Sequence, residues 1–194
     1  MHQRVGNFPG VTVDKKTGTT RIAEDTLAEV VDLPGTYSLY PRKMDEWVSY
    51  RVLLNQDNEI RPDMIIAVAD ASNLKRNLLF CSQIIDLKVP VVVVLTMMDL
   101  AAKKGIKVNI PELERELGVP VVPVNPRKQK GIPQLKKIIE LVARQPFVAP
   151  VRSFIDNQAL AVDAVAAVRS RFPELSDYAA IHYLINHESF SLQA

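Results

Sequence analysis

Two apolar runs, Met64-Ile-Ile-Ala-Val-Ala-Asp70 and Val89-Pro-Val-Val-Val-Val-Leu95, decide the fold class of this 194-residue chain. Short, nearly continuous apolar runs are typical of strands buried on both faces of a parallel sheet. Between the two runs, residues 72–87 carry apolar side chains at helical spacing. A third run, residues 119–124, follows a short predicted helix at residues 110–117. Buried strands that alternate with helices predict a layered α/β domain with right-handed crossovers.

Further elements are predicted on either side of these runs. Residues 22–32 predict two short strands with a polar turn at Glu24-Asp25. Residues 45–54 predict a helix, and residues 131–143 predict another amphipathic one. The resulting class is a parallel-sheet α/β domain.

The pattern changes after residue 144. Pro146 and Pro150 bracket an extended linker that we expect to be fixed rather than floppy. Beyond the linker, residues 157–171 and 175–186 predict helices and no strand. We therefore expect two domains, over residues 1–149 and 150–194.

Composition limits the functions that the chain can have. Its 24 Lys and Arg residues nearly balance 22 Asp and Glu residues, for a net charge of +2, so bulk charge does not favour a nucleic-acid partner. Hydrophobic residues make up 47%, as in soluble globular proteins, and no apolar run reaches the roughly 20 residues of a membrane helix. The single cysteine, Cys81, excludes an internal disulfide, favours a reducing compartment, and is predicted to lie in the core.

The carboxyl ends of the predicted strands are where ligands bind in α/β sheets. One of them carries Asp32-Leu33-Pro34-Gly35, an Asp-x-x-Gly arrangement. In nucleotide triphosphatases such an Asp holds Mg²⁺ and the Gly amide faces the γ-phosphate. The alternative is an ordinary loop, because Asp-x-Pro-Gly turns are common.

A second strand ends in Thr96-Met97-Met98-Asp99. Guanine-specific proteins place Asn-Lys-x-Asp there, and the carboxylate accepts hydrogen bonds from guanine that adenine cannot donate. In the alternative interpretation, Thr96 and Asp99 only cap the next helix.

The stretch from Gly6 to Asp14 reads Gly-Asn-Phe-Pro-Gly-Val-Thr-Val-Asp. Its glycines and proline predict a loop, and the hydroxyl of Thr12 is a candidate Mg²⁺ ligand. Read alone, the stretch is equally compatible with a surface turn.

Together, Arg4-Val-Gly-Asn-Phe-Pro-Gly-Val-Thr-Val13, Asp32-Leu-Pro-Gly-Thr-Tyr-Ser-Leu39 and Asp99 resemble the amino-terminal GTP-binding domain of ferrous iron transport protein B. The similarity extends over essentially the whole chain, and the helices after residue 150 resemble that family's small helical domain. It implies a P-loop GTPase-like fold and a nucleotide site for GTP or GDP with Mg²⁺.

The resemblance also implies roles for individual residues. Thr12 and Asp32 are the Mg²⁺-side residues, Gly35 is the γ-phosphate sensor, and Asp99 reads guanine. The segments implied to contact the nucleotide are Gly10, Val11, Thr12, Val13 and Asp14; Asp32, Leu33, Pro34 and Gly35; Thr96, Met97, Met98 and Asp99; and Val124, Asn125 and Pro126.

At the level of the cell, the resemblance implies GTP turnover that regulates Fe²⁺ uptake through a membrane region of the same transporter. The domain would then act at the cytoplasmic face of a bacterial inner membrane, with this chain itself soluble. Homo-oligomers are left open, and nucleic acid is not expected.

Four departures from the family pattern affect these expectations. The 194 residues contain no Gly-x-x-x-x-Gly-Lys-Ser/Thr, the segment that cradles phosphates. We therefore expect a piece of a longer protein that lacks the first strand and P-loop, is marginally stable, and binds GTP weakly or not at all. Thr96 replaces the usual Asn, and Asn125-Pro126-Arg127 replaces the common Ser-Ala of the base loop. Thr36 and Tyr37 stand where a water-orienting Gln is expected, so no catalytic base is assigned.

Two other functions stay open at this stage. One is a nucleotide-binding-deficient remnant that acts as a regulatory or interaction module. The other is a different switch GTPase, such as one acting on ribosomes or transfer RNA. The basic residues between 127 and 137 are interpreted as a solvated surface, and the scattered histidines do not predict a metal site.

Overall fold

The computed structural model of the chain describes residues 3–7, 14–54, 60–155 and 161–186, with side chains from residue 16 onward. Within these ranges the strands are β1 (Gln3–Asn7), β2 (Asp14–Arg21), β3 (Leu27–Asp32), β4 (Ile65–Asp70), β5 (Val91–Thr96) and β6 (Val121–Pro123). The α-helices are α1 (Met44–Leu53), α2 (Leu74–Asp86), α3 (Met98–Lys103), α4 (Ile110–Leu117), α5 (Ile132–Arg144), α6 (Val162–Arg171) and α7 (Asp177–Ile185).

The strands form two separate three-stranded sheets, an antiparallel one ordered β1-β2-β3 and a parallel one ordered β4-β5-β6. In the parallel sheet Asp70 lies opposite Thr96, and Leu95 lies opposite Pro123. The carboxyl ends of its strands therefore meet at one edge. The predicted α/β class, with a parallel sheet and helices, is confirmed.

The parallel sheet is covered by helices on both faces because β5 is apolar on both. Val91, Val93 and Leu95 pack into a cluster with Ile84 and other residues of α2. Val92 and Val94 point the other way and pack against the apolar residues of α5. The continuous apolar run in the sequence is explained by this burial on two sides.

The antiparallel sheet differs from the prediction. Residues 22–26 form a turn in which the Ile22 amide donates to the Thr26 carbonyl (2.9 Å), and the strand before it is β2. Since β2 reads Asp-Lys-Lys-Thr-Gly-Thr-Thr-Arg, backbone pairing rather than an apolar face determines it. β1 likewise includes Gly6 and Asn7, which had been predicted as loop.

The third buried strand is shorter than predicted. β6 covers three residues, whereas residues 119–124 had been expected to be extended. Pro120 and Pro123 have no amide hydrogen to donate, and beyond β6 the pairing with β5 extends by one hydrogen bond at each end, from the Val93 amide to the Pro120 carbonyl and from the Val124 amide to the Leu95 carbonyl. The predicted helix over residues 110–117 is confirmed, with the Asn109 side chain accepting from the Glu112 amide (3.3 Å) as its cap.

The linker to α6 and α7 is tied to the main core. The carboxylate of Asp86, on α2, is buried and accepts from the amides of Phe154 (3.0 Å) and Ile155 (2.8 Å). The ammonium group of Lys88 donates to the carbonyls of Pro150 (3.0 Å) and Arg152 (2.7 Å). These contacts support the expectation of a fixed linker.

Helices α6 and α7 pack on each other through Val165, Val168 and Ala180. In addition, Tyr178 and Ala179 of α7 belong to the same buried cluster as β5. The core is thus continuous from the parallel sheet to α7. No helix in the described part of the chain is both long and apolar enough to cross a membrane.

Candidate functional site

The end of β5 is joined to the end of β4 by a side chain. The hydroxyl of Thr96 donates to the carbonyl of Ala69 (3.2 Å). Thr96 is therefore not the cap of α3. That position belongs to Met97, whose left-handed backbone (φ 55°) makes no side-chain hydrogen bond to the helix. The prediction that Thr96 caps α3 is wrong because its hydroxyl binds the Ala69 carbonyl on the neighbouring strand instead of the helix.

Asp99 lies in the first turn of α3, immediately beyond β5, and its side chain is exposed. One carboxylate oxygen accepts from the amide of the next residue, Leu100 (3.0 Å). An acid in a first helical turn is favoured by the helix dipole. The same exposure leaves the carboxylate accessible to a ligand that approaches the sheet edge.

The loop after β6 is closed by hydrogen bonds. The Val124 amide donates to the Leu95 carbonyl (2.8 Å), which holds the loop beside the end of β5. The Asn125 backbone pairs with Lys130 in both directions (2.9 and 3.1 Å), and its side chain accepts from the Lys128 amide (3.1 Å). Pro126 to Lys128 is a short 3₁₀ turn inside this loop. Residues 124–126 are thus held rigidly next to Thr96.

Gly131 closes that loop onto α5. Its φ is 81°, and a Cβ at this position would overlap the carbonyl oxygen of Pro123. Glycine tolerates both the left-handed backbone and the close approach. The position of the residue 124–126 loop therefore depends on this glycine.

The Asp32–Gly35 segment follows the antiparallel sheet and is attached to α1 by a hydrogen bond. Asp32 ends β3 with an exposed side chain, and Leu33 packs into the core. The buried hydroxyl of Ser49 donates to the Pro34 carbonyl (2.6 Å). A Cβ at Gly35 would find no atom of the described residues within 4 Å.

The segment that follows Gly35 is anchored on α2. The Leu39 amide donates to the side-chain oxygen of Gln83 (2.9 Å), and both residues are buried. The guanidinium of Arg76 lies over the ring of Tyr37 (3.9 Å to the centroid). Ser49 and Gln83 are not predicted from the sequence, because a single polar residue on an amphipathic helix carries no signal of its partner.

The structure brings some of the predicted site residues together and leaves others apart or undescribed. Residues 96–99 and 124–126 lie at adjacent strand ends of the parallel sheet. Asp32–Gly35 follows the antiparallel sheet. Gly10, Val11, Thr12 and Val13 lie outside the described residues, and Asp14 is described only as the backbone that begins β2.

His182 was also missed as a residue of structural importance. Its side chain is completely buried, and its carbonyl accepts from the hydroxyl of Tyr50 (3.3 Å), 132 residues away in the sequence. Burial lowers the pKa of the imidazole to about 4, so the ring is neutral at physiological pH. Burial likewise raises the pKa of the Cys81 thiol to about 11, in agreement with its predicted place in the core.

Known proteins resemble this chain in sequence. The Fe(2+) transporter FeoB of Leptospira biflexa is 43% identical over 140 residues, which cover 72% of this chain and 20% of that protein. The chain thus spans about a fifth of the length of the curated relatives it matches.

Solved structures resemble the chain as well. The cytosolic domain of the T. maritima FeoB iron transporter in a GDP form has a TM-score of 0.79 at 29% identity, covering 99% of this chain and 77% of that one. The same domain in a GMPPNP form gives the same TM-score, identity and coverage. These matches do not favour the alternative of a remnant interaction module.

A match to a whole protein family shows to which family the chain belongs. Residues 1–139, more than half of the chain, match the family described as ferrous iron transport protein B, and the chain belongs to that family.

Proposed function

We propose that this chain supplies the guanine-reading and switch parts of a GTP-binding domain whose nucleotide state regulates Fe²⁺ uptake by a membrane transporter. The observation that carries the proposal is the convergence of the exposed Asp99 carboxylate and the rigid residue 124–126 loop at adjacent strand ends. Family membership supports the same function. The cytosolic domain of one relative, T. maritima FeoB, has been solved in a GDP form and in a GMPPNP form.

Base selectivity would come from Asp99. A carboxylate accepts hydrogen bonds from the N1 and 2-amino groups of guanine, and adenine lacks this pair of donors. Thr96, Met97 and Met98 would form one wall of the base site, and Val124, Asn125 and Pro126 would form the other. The Thr96 hydroxyl, because it donates to Ala69, fixes the end of β5 rather than the base.

Phosphate contacts would come from the switch segments. Gly10 to Asp14 would form the first switch, and Gly35 would offer its amide to the γ-phosphate. Since a Cβ at Gly35 meets no described atom within 4 Å and no positive φ requires glycine there, the described fold itself does not demand this residue. Room for a close backbone approach by a ligand is a reason for a glycine at this point.

Mg²⁺ would be held by Asp32 and Thr12 together with the nucleotide. No group of three or more His, Cys, Asp or Glu side chains able to hold a metal occurs among the described residues. Mg²⁺ does not need such a group, because proteins usually bind it through one or two carboxylates plus substrate phosphates and water. When bound, the ion neutralises charge on the phosphates, and the exposed Asp32 carboxylate would orient it.

The remaining features of the proposal concern the whole protein. Residues 1–149 would be the nucleotide-binding domain and residues 150–194 the start of a helical domain. GTP and GDP would be its small-molecule partners, and the transporter's membrane region would be its protein partner, at the cytoplasmic face of the membrane. Because the 194 residues contain no Gly-x-x-x-x-Gly-Lys-Ser/Thr, affinity for GTP in this chain alone would be weaker than micromolar.

The proposal can be tested by measuring which base the chain prefers, even when its affinity for nucleotides is weak. A nonhydrolysable GTP analogue, an ATP analogue and a xanthosine triphosphate analogue would each be titrated with Mg²⁺, using calorimetry and ligand-observed NMR. We expect the guanine analogue to be preferred at least about tenfold over the adenine analogue. In Asp99→Asn, whose exposed side chain leaves folding unchanged, the preference would move to xanthine, because the amide donates to its 2-oxo group.

Equal binding of the guanine and adenine analogues by the unmodified chain, or an unchanged preference in Asp99→Asn, would overturn the assignment of Asp99. Micromolar binding of the GTP analogue would instead refute the expectation that the phosphate cradle is needed.

A further inference from the structure

Basic side chains are concentrated in two short segments of the chain. Residues 100–109 contain three lysines, residues 124–131 contain three Lys and Arg residues, and neither segment contains Asp or Glu. Because the whole chain has a net charge of only +2, the remainder is net negative. Such a separation of charge is typical of a surface that meets an anionic partner.

The fold brings both segments to the same edge of the parallel sheet. The first begins in α3, directly after β5, and the second directly follows β6. Nζ of Lys104 lies 3.5 Å from Oγ of Ser72, which comes just after β4. The Val124 amide, on the other side, donates to the carbonyl of Leu95 at the end of β5 (2.8 Å). The two segments therefore flank the end of β5 at the carboxyl edge.

The basic groups of these segments are available to a partner. All six side chains are exposed, and none of them forms an ion pair with another residue in the described part of the chain. They are called the basic surface, and they are Lys103, Lys104, Lys107, Arg127, Lys128 and Lys130.

The carboxylates near this edge have partners of their own. Asp70 accepts from the Ser72 amide (2.7 Å), and Asp99 accepts from the Leu100 amide (3.0 Å). Glu112, in the first turn of α4, pairs with Arg115. The charge of the basic surface is thus not cancelled by contact with these acids.

Aliphatic side chains are exposed next to the lysines. Leu100 is 39% exposed and Ile106 is 36% exposed. The Ile106 amide donates to the Ala101 carbonyl (2.9 Å), and Gly105 has a left-handed backbone (φ 73°), so the chain turns back onto α3. Leu100 and Ile106 are therefore held in one compact turn with the three lysines of the first segment.

The composition of this edge distinguishes a lipid bilayer from a nucleic acid. Bilayers that contain anionic lipids attract clusters of Lys and Arg and accept exposed apolar side chains among their headgroups. Proteins bind single-stranded nucleic acids largely by stacking bases on aromatic rings, and the two segments contain no Phe, Tyr or Trp. A bilayer is also broad enough to meet both segments at once.

We propose that the basic surface binds the anionic headgroups of a phospholipid bilayer, with Leu100 and Ile106 entering the headgroup region. The attraction is electrostatic at long range, so it weakens as salt is added. The inference concerns the protein without nucleotide and does not depend on the proposed GTP site. Asp99 lies between the two segments, so a bound bilayer would border that site.

Flotation of the full chain with lipid vesicles, without nucleotide, tests the proposal. We expect the chain to bind vesicles made of equal parts of phosphatidylglycerol and phosphatidylcholine, less at high salt, and not to bind vesicles of phosphatidylcholine alone. In Lys103→Gln/Lys104→Gln/Lys107→Gln the partition coefficient should fall by about a hundredfold, at roughly fivefold for each charge. These side chains are exposed, so the variant folds.

The matched control removes three positive charges elsewhere, in Arg61→Gln/Arg144→Gln/Arg152→Gln. Arg61 precedes β4, Arg144 ends α5, and Arg152 binds Glu116 near the end of α4, so all three lie away from the carboxyl edge. Because these charges are screened from a bilayer at that edge, we expect a change of no more than about twofold. In Leu100→Gln/Ile106→Gln, binding should weaken by about tenfold.

Absence of binding to the anionic vesicles at low salt, or equal losses in the lysine variant and its control, would overturn the proposal. So would equal binding to vesicles of phosphatidylcholine alone. A single-stranded RNA that displaces the chain from the vesicles and binds it more tightly would assign the basic surface to nucleic acid instead.

Discussion

Two glycines of the candidate site, Gly35 and Gly131, are required for different physical reasons. Gly131 has a positive φ and lies against the Pro123 carbonyl, so the fold itself needs it. Gly35 has no positive φ, and no described atom would contact a Cβ placed on it. Substituting alanine at both positions therefore distinguishes a glycine that the fold needs from a glycine that a bound ligand needs.

We expect Gly131→Ala to lower the free energy of unfolding by about 2–4 kcal/mol, because a strained backbone adds to a steric overlap. Gly35→Ala should change it by no more than about 0.5 kcal/mol, or raise it slightly by restricting the unfolded chain. Urea unfolding of both variants measures the difference. Similar losses in the two would show that Gly35 also has a structural role.

His182 makes the stability of the folded protein depend on pH. Its folded pKa of about 4 lies below the ordinary value of about 6.5. The unfolded chain therefore binds a proton first as the pH falls. Stability is fully present above pH 6.5 and is lost progressively as the pH falls toward 4.

From pH 7 to pH 5 we expect the His182 contribution to the free energy of unfolding to fall by roughly 1–2 kcal/mol. In His182→Leu that contribution is absent, so urea midpoints at the two pH values should differ less than in the unmodified chain. The other histidines are common to both proteins and cancel. Identical pH profiles would mean that His182 does not titrate with unfolding.

At the scale of elements, one edge strand of the parallel sheet is unusual. β4 ends that sheet within the described ranges and carries no charge before Asp70, whereas the edge strand β3 of the antiparallel sheet presents the exposed Glu29. On β4, Ile66 is 37% exposed and Val68 is 62% exposed. Natural edges normally carry charge, proline or a bulge that prevents association, so we expect copies of the chain to associate through β4.

We expect Val68→Lys to raise the concentration at which the chain associates by about tenfold or more, because a charge on an edge strand opposes further pairing. Sedimentation velocity over a range of concentrations measures this. Leu79→Lys, at a similarly exposed position on α2 (58%), is the control and should have no such effect. Equal behaviour of the two variants would point away from the β4 edge.

Sequence alone predicts the elements that have an apolar signature. β4, β5, α1, α4 and α5 follow from burial and lie within a few residues of their predicted bounds. β2 does not, since its polar residues are held by backbone pairing to neighbours that no local pattern identifies. For the site, Asp99 and Asn125 could be predicted from strand ends, whereas Gln83 and His182 depend on contacts between distant parts of the chain.

At the scale of the whole molecule, one buried carboxylate connects the parallel-sheet region to the α6–α7 pair. Asp86 accepts two amides of the linker, and its own carbonyl accepts from the Ser176 hydroxyl (2.8 Å). The ammonium of Lys88 lies 3.6 Å from the carboxylate. The proposed division at residue 150 would therefore separate two domains that are fastened by this buried carboxylate, in addition to the contact of Tyr50 with α7.

We expect Asp86→Ala to cost about 3 kcal/mol of stability, since it removes a buried carboxylate and leaves two partly buried amides unpaired. Trypsin should also cleave after Arg152 faster than in the unmodified chain. Asp177→Ala removes only an exposed ion pair with Arg169 and should cost no more than about 1 kcal/mol, with cleavage unchanged. Equal cleavage rates in all three proteins would show that Asp86 does not hold the linker.

The edge-on contact between Trp47 and Tyr50 makes the protein its own optical reporter. Trp47 is the single tryptophan of the chain, so all indole emission originates one helical turn from Tyr50, whose hydroxyl donates to the His182 carbonyl of α7. Separation of α1 from α7 would bring water to the indole and shift its emission to longer wavelength. We therefore expect tryptophan fluorescence of the unlabelled protein to follow this separation.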